Sequence, residues 1–281
     1  MNTNTITKES MSAFAEYLRS EEKATATVEK YGRDVTAFTL WLDGTEATKE
    51  AAADYKKHLL GIGRLAAGVN AVIAALNSFF HFMGWAIKLK PLKIQKQTFR
   101  NNDRQLTKDD YERLLRAARS NGNKRLNLVL QTICSTGIRV SELRYITAEA
   151  AKAGQAVINN KGKTRTIFIP KKLTPLLLSY ARERNISSGG IFITKSGKPL
   201  DRSNIWSEMK KLCEAAGVEP SKVFPHSLRS LFARLFYGAD KDIIRLADIL
   251  GHSSVDTTRI YLMENGEQHR RRVDALSLVI T

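Results

Sequence analysis

The sequence predicts a mainly α-helical protein with one small β-sheet, in two parts: a helical N-terminal domain and an α+β C-terminal domain. Three observations carry this. The first ninety residues show apolar stripes at spacings of three and four with no strand signal. Two short β-type runs, residues 156–159 and 165–169, flank Asn160-Lys161-Gly162-Lys163 in the manner of a hairpin. Between the halves, residues 88–104 lose helical periodicity and contain a proline.

The elements follow in order. Residues 11–19 have helical spacing, with Ser10 as their expected cap. Residues 27–42 align Val28, Tyr31, Val35, Phe38 and Leu42 on one stripe, and 51–60 form a third helix. Residues 66–85 form a fourth, ending in Phe79, Phe80, Phe82 and Trp85. Aromatics this dense on a helical stripe read as bundle core rather than as a platform for stacking bases. Thr107, ahead of Asp109 and Asp110, caps a helix that runs to Ala118, and 126–135 is a second, apolar one. Residues 173–184 are helical, and 191–194, after Gly189-Gly190, are briefly extended. The stretches 203–216, 227–237, 241–250, 255–261 and 267–278 read as helices with short joints. The expected boundaries are a helical domain over 1–87, a basic linker over 88–104 and a larger domain over 105–281.

Charge supplies the functional direction. The chain carries a net +17, which points to a polyanion. Residues 1–90 are nearly balanced, with 11 Lys and Arg against 10 Asp and Glu, so the excess lies in the remainder, with 34 against 18. In the linker, Lys88, Lys90, Lys93, Lys96, Arg100 and Arg104 face Asp103 alone, a pattern suited to neutralising backbone phosphates. No apolar run is long enough for a membrane span, and the N-terminus lacks the layout of a secretory signal. The isolated Cys134 and Cys213 suggest no disulfide framework or metal site, and a reducing cytoplasm is the expected compartment. Phosphate-binding loops, metal-ligand spacings and a Gly-x-Ser-x-Gly elbow are all missing, so no cofactor is expected.

Four stretches place chemically able residues at breaks in the hydrophobic pattern. In Thr136-Gly137-Ile138-Arg139-Val140-Ser141-Glu142-Leu143 a helix stops at Gly137 and resumes after Arg139, and at this break the Arg139 guanidinium can reach into a cleft and fork a phosphate. The hairpin presents Lys161 and Lys163. In His226-Ser227-Leu228-Arg229, a spacing of three puts His226 and Arg229 on one helix face. Finally, Leu250-Gly251-His252 is followed, nine residues after the histidine, by Tyr261 in Thr257-Thr258-Arg259-Ile260-Tyr261.

In this order the set resembles the tyrosine site-specific recombinases, the integrase family with Xer-type and Cre-type members. The resemblance spans essentially the whole chain, by motif in the C-terminal part and by layout in the first ninety residues. It implies a helical core-binding domain followed by a catalytic domain that cuts and rejoins DNA through a 3′-phosphotyrosyl bond. Arg139 and Arg229 would clamp the scissile phosphate, and His226 and His252 would add hydrogen bonds, with His226 the base for Tyr261. Lys161 would protonate the departing 5′-oxygen, with Lys163 as the alternative. Lys163, Arg165 and Arg259 would join the linker cations in contacting DNA. Glu142 would orient its neighbours. Ser230 departs from the pattern, which often has a second histidine there. The implied partners are duplex DNA with paired recombination sites, a homotetramer in the synapse assembled from a chain monomeric in solution, and accessory DNA-bending proteins. The apolar stretch from Val273 to Ile280 is expected to dock on a neighbouring protomer, with packing on its own chain as the alternative. A type IB topoisomerase-like enzyme and a catalytically idle DNA-binding protein are the alternatives.

Overall fold

A computed structural model describes residues 4–94, 105–160, 163–194, 196–263, 266–276 and 278. It divides the chain into two compact units, Met1–Lys96 and Gln97–Thr281.

The first unit contains α1 (Lys8–Ser20), α2 (Thr25–Leu42), α3 (Lys49–Gly61) and α4 (Ala66–Phe82). Helix α1 starts earlier than the apolar stripe suggested. Thr7 is its cap and Ser10 occupies the third helical position, the two side chains closing a reciprocal capping box. The aromatic stripe is core: Phe14, Phe38, Phe79 and Phe80 are buried, and Phe14 meets Phe79 edge to face at 5.2 Å. The chain after α4 is fastened to it. Asn77 exchanges two hydrogen bonds with the Leu89 backbone, and Asn70, two turns earlier on the same helix, does so with Leu92. Leu89 is buried and Leu92 half-buried, so Lys88, Lys90 and Lys93 all face outward. The first part of the expected linker thus packs on the helical unit, because its leucines alternate with its lysines. Lys96, Arg100 and Arg104 lie outside the described residues.

The second unit opens with α5 (Lys108–Ser120), capped by Thr107 and Asp110 reciprocally, and α6 (Lys124–Thr136), which is buried on nearly every side. A 3-10 turn (Val140–Tyr145) and α7 (Ala148–Ala153) precede the hairpin of β1 (Gln155–Asn160) and β2 (Lys163–Phe168). The strands are antiparallel, in a register that pairs Asn160 with Lys163 and Ile158 with Arg165. Then come α8 (Thr174–Glu183), α9 (Arg202–Ala216), α10 (Pro225–Asp240), α11 (Ile243–Leu250), α12 (Val255–Leu262) and α13 (Gly266–Ala275). Residues 191–194 do not form a strand. Ile193 makes an isolated bridge to Pro199, and the Ile191 and Thr194 amides donate to the Ile146 and Lys198 carbonyls. The final helix ends at Ala275 rather than at 278, and Val273, Leu276 and Leu278 are exposed in the single chain. A core of Leu114, Leu130, Ile133, Leu177, Met209 and Leu228 joins α5, α6, α8, α9 and α10. Helices α10 to α12 close a smaller cluster around Leu246, Leu250 and Tyr261.

Candidate active site

The site is built where α6 ends. Gly137 adopts φ +67°, and a Cβ there would stand 2.4 Å from the Phe232 ring of α10, so the turn admits only glycine. This sharp exit delivers Arg139 to the start of the 3-10 turn, and Glu142 folds back over it. The Arg139 backbone N–H donates to Glu142 Oε2 at 2.7 Å, and Arg139 Nη1 donates to Oε1 at 3.0 Å. Arg165 Nη2 donates to the same Oε2 at 2.6 Å. The Glu142 side chain is 2% exposed and lies between the Arg139 and Arg165 guanidiniums. Arg139 keeps 37% of its side chain exposed. Its Nη2 donates to the Gly251 carbonyl at 3.3 Å.

Arg229 rises from the first turns of α10 and is buried. Its Nη1 donates to the Gly137 carbonyl, and its Nη2 donates to the Leu250 carbonyl at 2.7 Å and to His252 Nε2 at 2.9 Å. Burial pushes its pKa down to about 10, a hydrogen bond with Tyr261 opposing that drop. The guanidinium is therefore charged at neutral pH and held by two helix-end carbonyls. These are the acceptors that the closing turns of α6 and α11 leave without helical partners.

His252 follows Gly251, which ends α11 in the left-handed conformation. Its Nδ1 lies 2.8 Å from the hydroxyl of Thr258, which is fully buried in α12. Burial, then the nearby Arg229, Arg139 and Arg165, hold its pKa down to about 4, so the imidazole is neutral at pH 7. Tyr261 lies one turn beyond Thr258 and is 4% exposed. Its ring stacks on His252 at 5.6 Å between centroids and meets His226 at 5.2 Å. His226, in the first turn of α10, is exposed, so the shared face with Arg229 spans two depths: the histidine at the rim and the arginine beneath it.

Arg139, His226, Arg229, His252 and Tyr261 thus converge, though they come from four segments of the chain. Lys161 lies outside the described residues, as does the side chain of Lys163. One expectation is corrected. Arg165 is not a surface cation: its side chain is 13% exposed, committed to Glu142 and, through Nη1, to the Ile249 carbonyl at 3.0 Å. It shares its strand face with the buried Ile167 and Ile169, a parity the sequence displays. Arg259 is exposed. Ser230 is buried and accepts from Arg234 Nη1 at 3.1 Å, so this position serves the packing of α10. Among the described residues, no group of three His, Cys, Asp or Glu could hold a metal ion, and no helix is long and apolar enough to cross a membrane.

Three guanidiniums against one carboxylate, with two histidines around a buried tyrosine, make a site suited to an anion. A helical unit joined to a mixed unit that carries such a site defines the class of tyrosine recombinases. The chain belongs to the phage integrase family, whose profile matches residues 104–268, and the family's N-terminal SAM-like domain matches residues 11–86. Among curated relatives, tyrosine recombinase XerA of Thermococcus kodakarensis is 29% identical over 276 residues, 95% of this chain and 94% of that one. Tyrosine recombinase XerD of Halalkalibacterium halodurans is 27% identical over 259 residues, covering 84% and 86%. Among solved structures, a lambda integrase (75–356) dimer bound to a COC′ core site superposes with a TM-score of 0.73 at 20% identity, over 92% of this chain and 96% of that one. The XerH recombinase bound to its difH substrate in a pre-cleavage complex gives 0.71 at 18% identity, over 99% and 91%. At these identities the structural likeness is one of fold.

Proposed function

We propose that this recombinase cuts and rejoins DNA at paired specific sites with Tyr261 as nucleophile. The observation that carries the reading is the packing of Tyr261 between His226 and His252 and beside the buried Arg229. A phenol with a pKa near 10 attacks at neutral pH only where neighbours take its proton and stabilise the charge it moves. Tyr261 Oη attacks the scissile phosphorus, the 5′-oxygen leaves, and a 3′-phosphotyrosyl bond forms. Arg139 and Arg229 offer fixed guanidiniums to the non-bridging oxygens, where negative charge gathers in the five-coordinate transition state. His226, at the rim, takes the phenolic proton, and His252 serves the phosphate by holding Arg229 through Nε2. Lys161 delivers a proton to the 5′-oxygen, with Lys163 as its alternative. The phosphotyrosyl bond keeps the energy of the phosphodiester, so a 5′-hydroxyl from a second duplex restores a DNA strand without ATP.

The exposed Lys88, Lys90, Lys93 and Arg259 neutralise backbone phosphates, joined by Lys96, Arg100 and Arg104. The boundaries 1–87, 88–104 and 105–281 serve as core-binding domain, linker and catalytic domain. The chain is a monomer in solution and a homotetramer across two duplexes in the synapse, with the apolar stretch from Val273 to Ile280 docking on a neighbour and accessory bending proteins shaping the DNA. It works in the cytoplasm, on the DNA of a mobile element or replicon, by integration, excision, inversion or dimer resolution.

Covalent capture tests this. Sheared DNA from the source organism is incubated with the protein and denatured, and protein-linked fragments are sequenced. A shared sequence at the attached 3′-ends is expected. Two copies of it on one plasmid should then delete or invert the segment between them. Relaxation of supercoils without exchange would favour the topoisomerase-like alternative.

A further inference from the structure

We propose that Thr258 is a positioning residue for the phosphate clamp: its hydroxyl fixes His252 in the Nδ1–H tautomer and so aims the Nε2 lone pair at Arg229. This rests on the reading in which Arg229 and His252 serve the phosphate and Tyr261 attacks it.

The tautomer follows from donor and acceptor arithmetic. An arginine has five N–H donors and no acceptor. Arg229 Nη2 lies 2.9 Å from His252 Nε2, so that nitrogen carries no proton and accepts. A neutral imidazole holds its one proton on the other nitrogen, and Nδ1 lies 2.8 Å from Thr258 Oγ1. The hydroxyl is the acceptor, and it is fully buried, so water cannot replace it. Arg139, Arg165 and His226 also bear on the ring, and all of them disfavour a second proton on it.

Thr258 has a second tie, to the nucleophile. It stands three residues before Tyr261 on α12, so the two share a helix face. One rigid helix therefore carries both the attacking group and the acceptor that orients the clamp histidine. A displacement of α12 that withdraws Tyr261 also withdraws the partner of Nδ1. Clamp and nucleophile are assembled together, and an enzyme with α12 out of place lacks both.

The full-length chain, labelled with ¹⁵N-histidine, reports the tautomer through long-range ring correlations, with the His252 signals assigned by their loss in His252→Asn. Wild type should show Nδ1 protonated and Nε2 bare. Thr258→Val, which keeps the volume and removes the hydroxyl, should give a mixture of tautomers, and Thr258→Ser should restore the single form. With a duplex bearing the sequence recovered by covalent capture, Thr258→Val should form the covalent complex about tenfold more slowly, the loss of one hydrogen bond in a buried network. Thr258→Ser should recover most of the rate. An Nε2–H tautomer in wild type overturns the proposal with no variant needed, as does Thr258→Val with wild-type tautomer and rate. A covalent complex that survives Tyr261→Phe would overturn the nucleophile reading instead, and leaves the tautomer result standing.

Discussion

Arg165 reaches inward from β2 to Glu142, with Nη2 2.6 Å from Oε2, and so ties the lysine hairpin to the residue that holds Arg139. The buried carboxylate sits between the Arg139 and Arg165 guanidiniums, which makes it the electrostatic joint of the site.

Removing that joint should be costly. Glu142→Ala leaves Arg165 buried without its counter-charge and is expected to destabilise the catalytic unit by about 3 kcal/mol, the low end for a broken buried pair. The low end applies because Arg139 keeps 37% exposure and can turn to solvent. Urea unfolding checks this. Glu142→Leu combined with Arg165→Met should lose less than the sum of the single changes, since the pair then leaves together.

Gly251 makes the same joint sterically exacting. Its φ is +64°, and a Cβ would stand 2.5 Å from Arg165 Nη1 and 2.7 Å from its Cδ. Gly251→Ala should therefore displace Arg165 from the Ile249 carbonyl and destabilise the fold by roughly 1–3 kcal/mol. Adding Arg165→Ala opens the space, so the double variant should suffer less than additively in thermal unfolding, leaving only the backbone strain of a positive φ.

Stability should fall on acidification through His252. Its folded pKa, held to about 4, lies below the ordinary histidine value near 6.5, so the unfolded chain binds the proton first. Between those values the unfolded state holds more protons, and stability rises with pH. The contribution is complete above about 6.5 and is lost as pH falls toward 4. His252→Asn should remove this slope. Melting curves at pH 4 to 8 should show the gap between wild type and variant widening up to pH 6.5 and flat beyond it.

The leaving-group acid can be assigned by chemistry. If Lys161 protonates the 5′-oxygen, Lys161→Ala should slow cleavage by roughly 10²–10⁴-fold. A substrate with sulfur at the bridging 5′ position leaves as a thiolate and needs no acid, so it should restore the rate. Lys163→Ala should show the smaller defect and no such rescue. The opposite pattern assigns the role to Lys163.

Much of the fold was legible because helices announce themselves. The stripe of Val28, Val35, Phe38 and Leu42 is buried as its spacing requires, and Thr107 caps α5 as its acids suggested. Helix ends were read less well, since the first turn of α1 is polar and only its capping box marks it. The helical turn that resumes after Arg139 is visible as a return of the apolar pattern, whereas α7 is too brief for a period to show. Within the site, Arg139, Arg229, His252 and Tyr261 were visible as residue types at breaks. What joins them was not. Arg165 shares the parity of Ile167 and Ile169, but an arginine stays inside only where a buried carboxylate meets it, and the partnership with Glu142 has no local signature. Thr258 differs in kind. Its position one turn before Tyr261 was on view, but its partner is a histidine six residues back across a helix end, which no periodicity encodes.

The most direct measurement is peptide mapping of the protein–DNA complex trapped by denaturation on a duplex bearing the captured sequence. Nuclease digestion followed by mass spectrometry should find a nucleotide 3′-phosphate on the peptide containing Tyr261, and Tyr261→Phe should fold, bind the duplex and form no covalent complex. An adduct on any other residue, or one that persists in Tyr261→Phe, would contradict the assignment of Tyr261 as the nucleophile.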